Sequence, residues 1–299
     1  MCTAITYNTK DFYFGRNLDL EYSYNEDVII TPRNFSLHFK AEDSIKEHYA
    51  IIGVGIEVEE YPLYYDGINE MGLAMAGLNF PGNAKYFPYA SDKTNITPFE
   101  LIPWILGRFA TVSEVRANLS NLNILNEEFN EQYKLTPLHW IISDKEESIV
   151  LESVEEGLKV YDNPEGILTN NPCFPEQIIN FNRYKDIKSI PGDFTSKSRF
   201  IRAAFIRNYS ISDDNEAESV SQFFHILDNV AQPRGCELVG NKPKFTVYSS
   251  CCNASKGIYY YKTYDNSRIN GVDMFRENLE QKRLIKYHLK RETEIVINN

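Results

Sequence analysis

Strand-like and helix-like runs come in blocks along this 299-residue chain, and that order most restricts its fold. Short β-rich runs open it: "CTAITY", "FYFGRNLDL", "DVIITP", "AIIGVGIEV", "YPLYYD" and "GLAMAGLNF". Helical patterns follow. "TPFELIPWILGRF" is predicted to start with Thr97 as cap and Pro98 at the first helical position, with a kink at Pro103. "TVSEVRANLSNL" carries a capping box in Thr111 and Glu114. "LHWIIS", "SIVLESV" and "LKVYD" then read as a three-stranded antiparallel meander. "FPEQIINFNRYKDI", "SRFIRAAFIRNYS" and "EAESVSQFFHILDNV" read as helices, the last with Val220, Phe223, Phe224 and Leu227 on one face. "KFTVYSSCC", "GIYYYKTY", "GVDMFREN" and "RLIKYHL" close the chain as strands. Helices alternating singly with strands would predict a doubly wound parallel sheet. Blocks of each predict an α+β fold, two mainly antiparallel sheets with helices outside them. No linker, repeat or low-complexity stretch interrupts the sequence, so residues 1–299 are expected to form a single domain.

Composition removes several functional classes. The formal net charge is −11 and no basic stripe stands out, which argues against nucleic acid as a partner. The basic residues of "QKRLIKYHLKR" alternate with apolar ones and read as a solvated strand face. No apolar run reaches the ~20 residues of a membrane helix, and no signal peptide is visible, so a cytoplasmic protein without a membrane partner is expected. The five cysteines (Cys2, Cys173, Cys236, Cys251, Cys252) are odd in number and irregular in spacing, which predicts free, mostly buried thiols. His38, His48, His139, His225 and His288 are scattered and read as structural residues, so no metal site is expected. "GVG" at Gly53 and Gly55 lacks the rest of a nucleotide-binding pattern and reads as close backbone packing.

The N-terminus carries the chemistry. In "MCTAITYNTKDFYFGRNLDLE" a cysteine follows the initiator methionine. With Met1 removed, Cys2 would hold a thiol and a free α-amine on one residue. If "NTKD" is a hairpin turn, Thr3 faces Arg16 and Cys2 faces Asn17, bringing "GRNLD" beside the terminus; a one-residue slip would change faces but not proximity. A free thiol has a pKa of ~8.5, and a nearby Arg favours its thiolate. An α-amine titrates at ~7.7–8.0, so it can take the thiol proton and return it to a leaving amine. Asp19 could orient that amine. The same residues would equally make an Arg–Asp pair beside a buried cysteine.

The motifs "MCT", "YFGRNLD", "AGLNFPG", "ILTNNP" and "SRFIR", in that order, resemble the choloylglycine hydrolase group of N-terminal nucleophile hydrolases, which includes bile salt hydrolases and penicillin V acylases. The resemblance covers nearly the whole chain. It implies a four-layer αββα sandwich, loss of Met1, and attack of the Cys2 thiolate on a substrate amide carbonyl, with no cofactor. It implies that Arg16 favours the thiolate and Asp19 holds the α-amine. Asn79, chiefly through its backbone N–H, and Asn170, through its side-chain amide, would stabilise the oxyanion, and Arg199 would support charge in the reacting centre. Asn171 and Arg202 are neighbouring alternatives to Asn170 and Arg199, and the asparagines also suit turns before proline.

Penicillin V acylases often carry tyrosine at the position of Asn79, so the resemblance leans to the bile salt side: a bacterial enzyme cleaving glycine- or taurine-conjugated bile acids. An aromatic content of 13% suits a groove for a steroid face. Penicillin V acylase activity is the nearest alternative, and a non-catalytic binder of amphipathic small molecules is the alternative of another class. A papain-like hydrolase fits less well, because nothing marks a partner histidine. The group usually forms homotetramers. The segment between "TNNPCF" and "SRF" is shorter here than the loop by which many relatives reach a neighbouring subunit, so a dimer or monomer is also compatible.

Overall fold

The structure, a computed structural model, describes residues 2–299; the expected loss of Met1 concerns a residue outside them. In chain order the elements are β1 Cys2–Asn8, β2 Phe12–Leu20, β3 Asp27–Thr31, β4 Ile51–Val58, β5 Tyr61–Asn69, β6 Ala74–Asn79, β7 Thr94–Ile96, α1 Leu101–Arg108, α2 Val112–Leu119, β8 Leu122–Ile124, β9 Leu138–Ser143, β10 Ser148–Val154, β11 Gly157–Asp162, β12 Ile167–Leu168, α3 Phe174–Phe181, α4 Ser196–Tyr209, α5 Glu216–Asp228, β13 Glu237–Val239, β14 Lys242–Asn253, β15 Ile258–Thr263, β16 Asn270–Asp273 and β17 Ile285–His288. A first sheet runs β12-β1-β2-β14-β15-β16, with β13 paired to β14; a second runs β11-β10-β9-β6-β5-β4-β3-β17. Every pairing in both is antiparallel.

Period-two alternation decides how the sheets stack. On the second sheet Ile52, Val54, Ala74, Ala76, Leu78, Ile141 and Val150 join the core that also holds Ala4, Phe14, Tyr248 and Tyr259 of the first. Its other face presents Ile51, Met75, Trp140, Ile142 and Leu151 to Ile105, Val112 and Val115 of α1 and α2. The far face of the first sheet is covered by Phe200 of α4 and by Val220, Phe223 and Leu227 of α5. The layers are therefore helices, sheet, sheet, helices, as expected. The face of α5 read from the sequence is the one it buries.

Two local expectations were displaced. α1 begins at Leu101, capped by Glu100, because Thr97 and Pro98 belong to a turn in which the Glu100 N–H donates to the Thr97 carbonyl at 3.1 Å. Pro103 then lies in the first turn, where a missing N–H leaves no helical bond unmade, so no kink is required. The N-terminal hairpin is shifted by one residue: Cys2 pairs with Leu18, Thr3 with Asn17 and Ala4 with Arg16. The Thr111–Glu114 cap of α2 forms at 3.2 Å, although the Glu114 carboxylate reaches the Ala110 N–H instead of that of Thr111. Gly53 does mark close packing: a Cβ there would lie 2.1 Å from the Asp66 carbonyl oxygen of the neighbouring strand. The five cysteines are free, with Cys2, Cys251 and Cys252 buried. Among the described residues no helix is long and apolar enough to cross a membrane.

Candidate active site

The one-residue shift has a chemical consequence. Cys2, Ala4, Arg16 and Leu18 now share one face of the hairpin, while Thr3 and Asn17 share the other. Thr3 and Asn17 face the helices: the Thr3 hydroxyl accepts from Arg199 Nη1 of α4 at 2.6 Å, and Asn17 Nδ2 donates to the Leu227 carbonyl of α5 at 2.9 Å. Cys2 and Arg16 therefore point between the sheets. Cys2 is only 3% exposed and Arg16 fully buried.

Arg16 is held where two strands part. β5 pairs with β6 only across Ala74–Ala76, whereas β6 stays paired with β9 as far as Asn79. Beyond Ala76 one edge of β6 is open. Arg16 Nη1 fills its start, donating to the Gly77 carbonyl at 2.6 Å and the Tyr65 carbonyl at 3.0 Å. Arg16 Nη2 is buried and meets no acceptor of good geometry among the described residues. Burial works to lower the Arg16 pKa, but Cys2 above all, then Tyr248 and Asp66, outweigh it and raise it, so the guanidinium stays charged.

The same open edge continues to Asn79. The Phe80 N–H donates to the Pro137 carbonyl at 2.7 Å, so Asn79, paired with Leu138, turns its own N–H and carbonyl away from β9. Its carbonyl accepts from Asn170 Nδ2 at 2.6 Å. Asn170 Oδ1 accepts from the Cys2 nitrogen at 2.5 Å and from Arg199 Nη2 at 2.9 Å. That nitrogen is a peptide nitrogen while Met1 is attached and the α-amine once it is gone. Arg199 Nη1 also donates to the Cys2 carbonyl at 2.6 Å. Burial lowers the Arg199 pKa, opposed by Asp19, Cys2 and Glu237. Asp19, fully buried, alternates onto the Asn17 face and accepts from the Thr246 hydroxyl at 2.7 Å.

Each alternative left open by the sequence has other partners. Asn171 Nδ2 donates to the Pro81 carbonyl at 2.7 Å, and Arg202 ties the carbonyls of Asn229, Pro191 and Asp193. Supports that the sequence did not signal also emerge. Gln177 Nε2 lies within 3.2 Å of the Thr169 and Ser196 hydroxyls and of the Asn170 and Asn171 carbonyls, and Ser196 Oγ accepts from the Asn170 N–H at 2.8 Å. Asp66, buried between the sheets, accepts from the phenols of Tyr248 and Tyr259. Burial raises its pKa, with Arg16 and the two phenols working against the rise. A separate cavity of about 810 Å³, lined by Arg33, Glu70, Trp104 and Arg108 among others, includes none of the six predicted residues. The chemistry is better located by the convergence on Cys2 than by cavity size.

The arrangement has a buried free thiol, a buried cation beside it, and a backbone N–H and a side-chain amide along one open strand edge. That is the equipment of acyl transfer at an amide. Comparison with known proteins agrees. The profile of the linear amide C–N hydrolases, choloylglycine hydrolase family, matches residues 2–287. A bile salt hydrolase/transferase of Lactiplantibacillus plantarum is 52% identical over 98% of this chain and 98% of its own length. The solved C2A mutant of the conjugated bile acid hydrolase from Clostridium perfringens is 38% identical and matches with a TM-score of 0.92 over 100% of both chains. The penicillin V acylase from Agrobacterium tumefaciens, 19% identical, shares the fold with a TM-score of 0.80 over 99% of this chain and 100% of its own. From the first strand to β17, then, this chain belongs to the choloylglycine hydrolase family of linear amide C–N hydrolases.

Proposed function

We propose that this protein hydrolyses the amide bond of glycine- or taurine-conjugated bile acids, with Cys2 as nucleophile after removal of Met1. The observation that carries the reading is the convergence of Asn170 and Arg199 on Cys2, with Arg16 beside the thiol. The α-amine takes the thiol proton, and the thiolate attacks the amide carbon, forming a C–S bond. The oxyanion is received by the Asn79 N–H and by the Asn170 Nδ2 hydrogen that Asn79 does not use. Arg199 and Asp19 hold the amine and main chain of Cys2 in register. The amine then gives its proton to the departing nitrogen of glycine or taurine as the C–N bond breaks. Water cleaves the thioester, releasing the bile acid and the thiol.

An apolar cluster of Ile56, Tyr61 and Leu63, joined by Phe129, Tyr133 and Tyr65, suits the steroid. Tyr65 packs against this cluster and the central core alike, and its carbonyl holds Arg16, so the apolar surface and the charged centre meet there. The single-domain chain, its cytoplasmic location and its assembly as a homo-oligomer belong to the same proposal; sedimentation of the purified protein tests the last.

The test is release of glycine and taurine from conjugated bile acids, beside cleavage of penicillin V, by protein whose N-terminus is verified by intact mass. Rapid release of the amino acids supports the reading. Untouched bile conjugates with rapid cleavage of penicillin V would reassign the substrate, and binding without turnover of either would make the protein a non-catalytic binder.

A further inference from the structure

His139 lies in β9, fully buried, on the same side of the second sheet as Ile141. Its Nδ1 is 3.1 Å from Glu152 Oε1 of β10, and its Nε2 is 2.7 Å from the Thr169 carbonyl oxygen. Glu152 is fully buried too, and its Oε1 also accepts the Phe174 N–H at 3.0 Å, where α3 begins. A neutral imidazole has one N–H, yet both ring nitrogens here face oxygen acceptors. Both contacts are hydrogen bonds when the pair shares one proton beyond a neutral ring and a carboxylate. Either both ring nitrogens are protonated, or the Glu152 carboxyl donates to Nδ1 while Nε2–H serves Thr169. In each form Nε2 donates to the Thr169 carbonyl.

The ring also stacks on Phe80, with centroids 4.2 Å apart and planes 6° from parallel. Phe80 directly follows Asn79, and Thr169 directly precedes Asn170. One buried side chain thus touches the neighbours of both oxyanion donors, of which Asn79 ends β6 and Asn170 lies in the bend after β12, 91 residues apart in sequence. We infer that His139, clamped by Glu152, is a positioning residue that sets the distance between the Asn79 N–H and the Asn170 amide. This rests on the amide-hydrolase reading above. His139 touches neither substrate nor thiol in this role; it acts through Phe80 and Thr169.

The experiment compares His139→Ala, Glu152→Ala and Glu152→Gln with wild type in steady-state bile conjugate hydrolysis, and measures alkylation of Cys2 by iodoacetamide in each. Turnover by the wild type checks the functional reading separately. The alanine variants are expected to lose about 10- to 100-fold in kcat with KM within about threefold, because misplacing an oxyanion donor removes part of the ~100- to 1,000-fold that a donor supplies. Alkylation, which builds no oxyanion, is expected to stay within about twofold of wild type. Glu152→Gln fills the same space but keeps only one of the two bonds that Glu152 Oε1 makes, to Nδ1 or to the Phe174 N–H, so its kcat is expected to lie below wild type and clearly above that of Glu152→Ala. The inference is overturned if His139→Ala turns over within threefold of wild type. It is equally overturned if Glu152→Gln is as slow as Glu152→Ala, or if alkylation falls in step with turnover, which would make His139 a base for the thiol. Should His139→Ala fail to fold, as judged by circular dichroism, the glutamate pair decides alone.

Discussion

Replacing Asn170 by aspartate separates two jobs that one side chain performs. As acceptor, Asn170 Oδ1 holds the Cys2 nitrogen at 2.5 Å and Arg199 Nη2 at 2.9 Å. A carboxylate keeps both contacts and makes them charge-assisted, so the variant should melt above one with alanine at this position. As donor, Asn170 Nδ2 faces the Asn79 carbonyl at 2.6 Å. Aspartate sets oxygen against oxygen there and removes the hydrogen intended for the oxyanion. Losing one such donor costs about 2.7–4 kcal/mol of transition-state stabilisation, or ~100- to 1,000-fold in kcat, while KM should change little. Asn170→Ala, by contrast, strips Arg199 of a buried acceptor, and should lower stability by about 1–3 kcal/mol in addition to the loss of rate. The assay is amino acid release from conjugated bile acids, beside thermal melts of the three proteins. An aspartate variant within tenfold of wild-type kcat at neutral pH would refute the donor role, and one that melted like the alanine variant would refute the acceptor role.

Cys2→Ala should lower turnover by at least ~1,000-fold and leave the melting curve nearly unchanged, because one buried sulfur is lost from a small position; turnover within about tenfold of wild type would remove Cys2 from the mechanism. Protein that keeps Met1, identified by intact mass, should be inactive towards the same conjugates, since its Cys2 nitrogen is an amide without a proton-accepting lone pair. Arg16→Leu should destabilise the fold by about 1–3 kcal/mol in urea titrations, because the Tyr65 and Gly77 carbonyls would stay buried without their donor; a loss under ~1 kcal/mol would show that the site relaxes around the change. Asp11 and Glu216 share Lys256. Burial opposes the charge of both, but for Asp11 the bonds from Asn253 and Lys256, and for Glu216 those from Lys256, Asn253 and Tyr260, prevail and lower both pKa values from 3.8 and 4.5. Their stabilising effect is complete above those unfolded values and is lost as pH falls through the lower folded ones. Lys256→Met should therefore be less stable than wild type at pH ~7, with the gap narrowing as pH falls below the unfolded values of both carboxylates; a gap that stays constant on acidification would contradict the assignment.

Much of the fold could be read from local pattern. The meander β9–β11, the buried face of α5 and the β14–β15 pair all follow from periods of two and 3.6 residues, which depend on neighbours in the chain. The start of α1 was harder, because a threonine followed by proline suits a turn before a helix as well as a cap. The hairpin register was set by a three-residue turn, Thr9–Lys10–Asp11, in which the Thr9 N–H bonds the Asp11 carbonyl. A two-residue turn was equally consistent with the same letters.

By itself the sequence determined the block order of strands and helices, the cysteine behind the initiator methionine, and a series of motifs sufficient to indicate the family. It also supplied Arg16, Asn170 and Arg199, which the fold brings onto Cys2 or beside it. Only the tertiary structure decided which of two adjacent asparagines meets Cys2, which face of the hairpin carries Arg16, and that His139, paired with Glu152, packs against Phe80 and Thr169. The reason is physical. A side chain's face follows from a strand's own alternation, but its partner follows from how two twisted sheets stack, and the contact between Cys2 and Asn170 spans 168 residues that no local pattern connects.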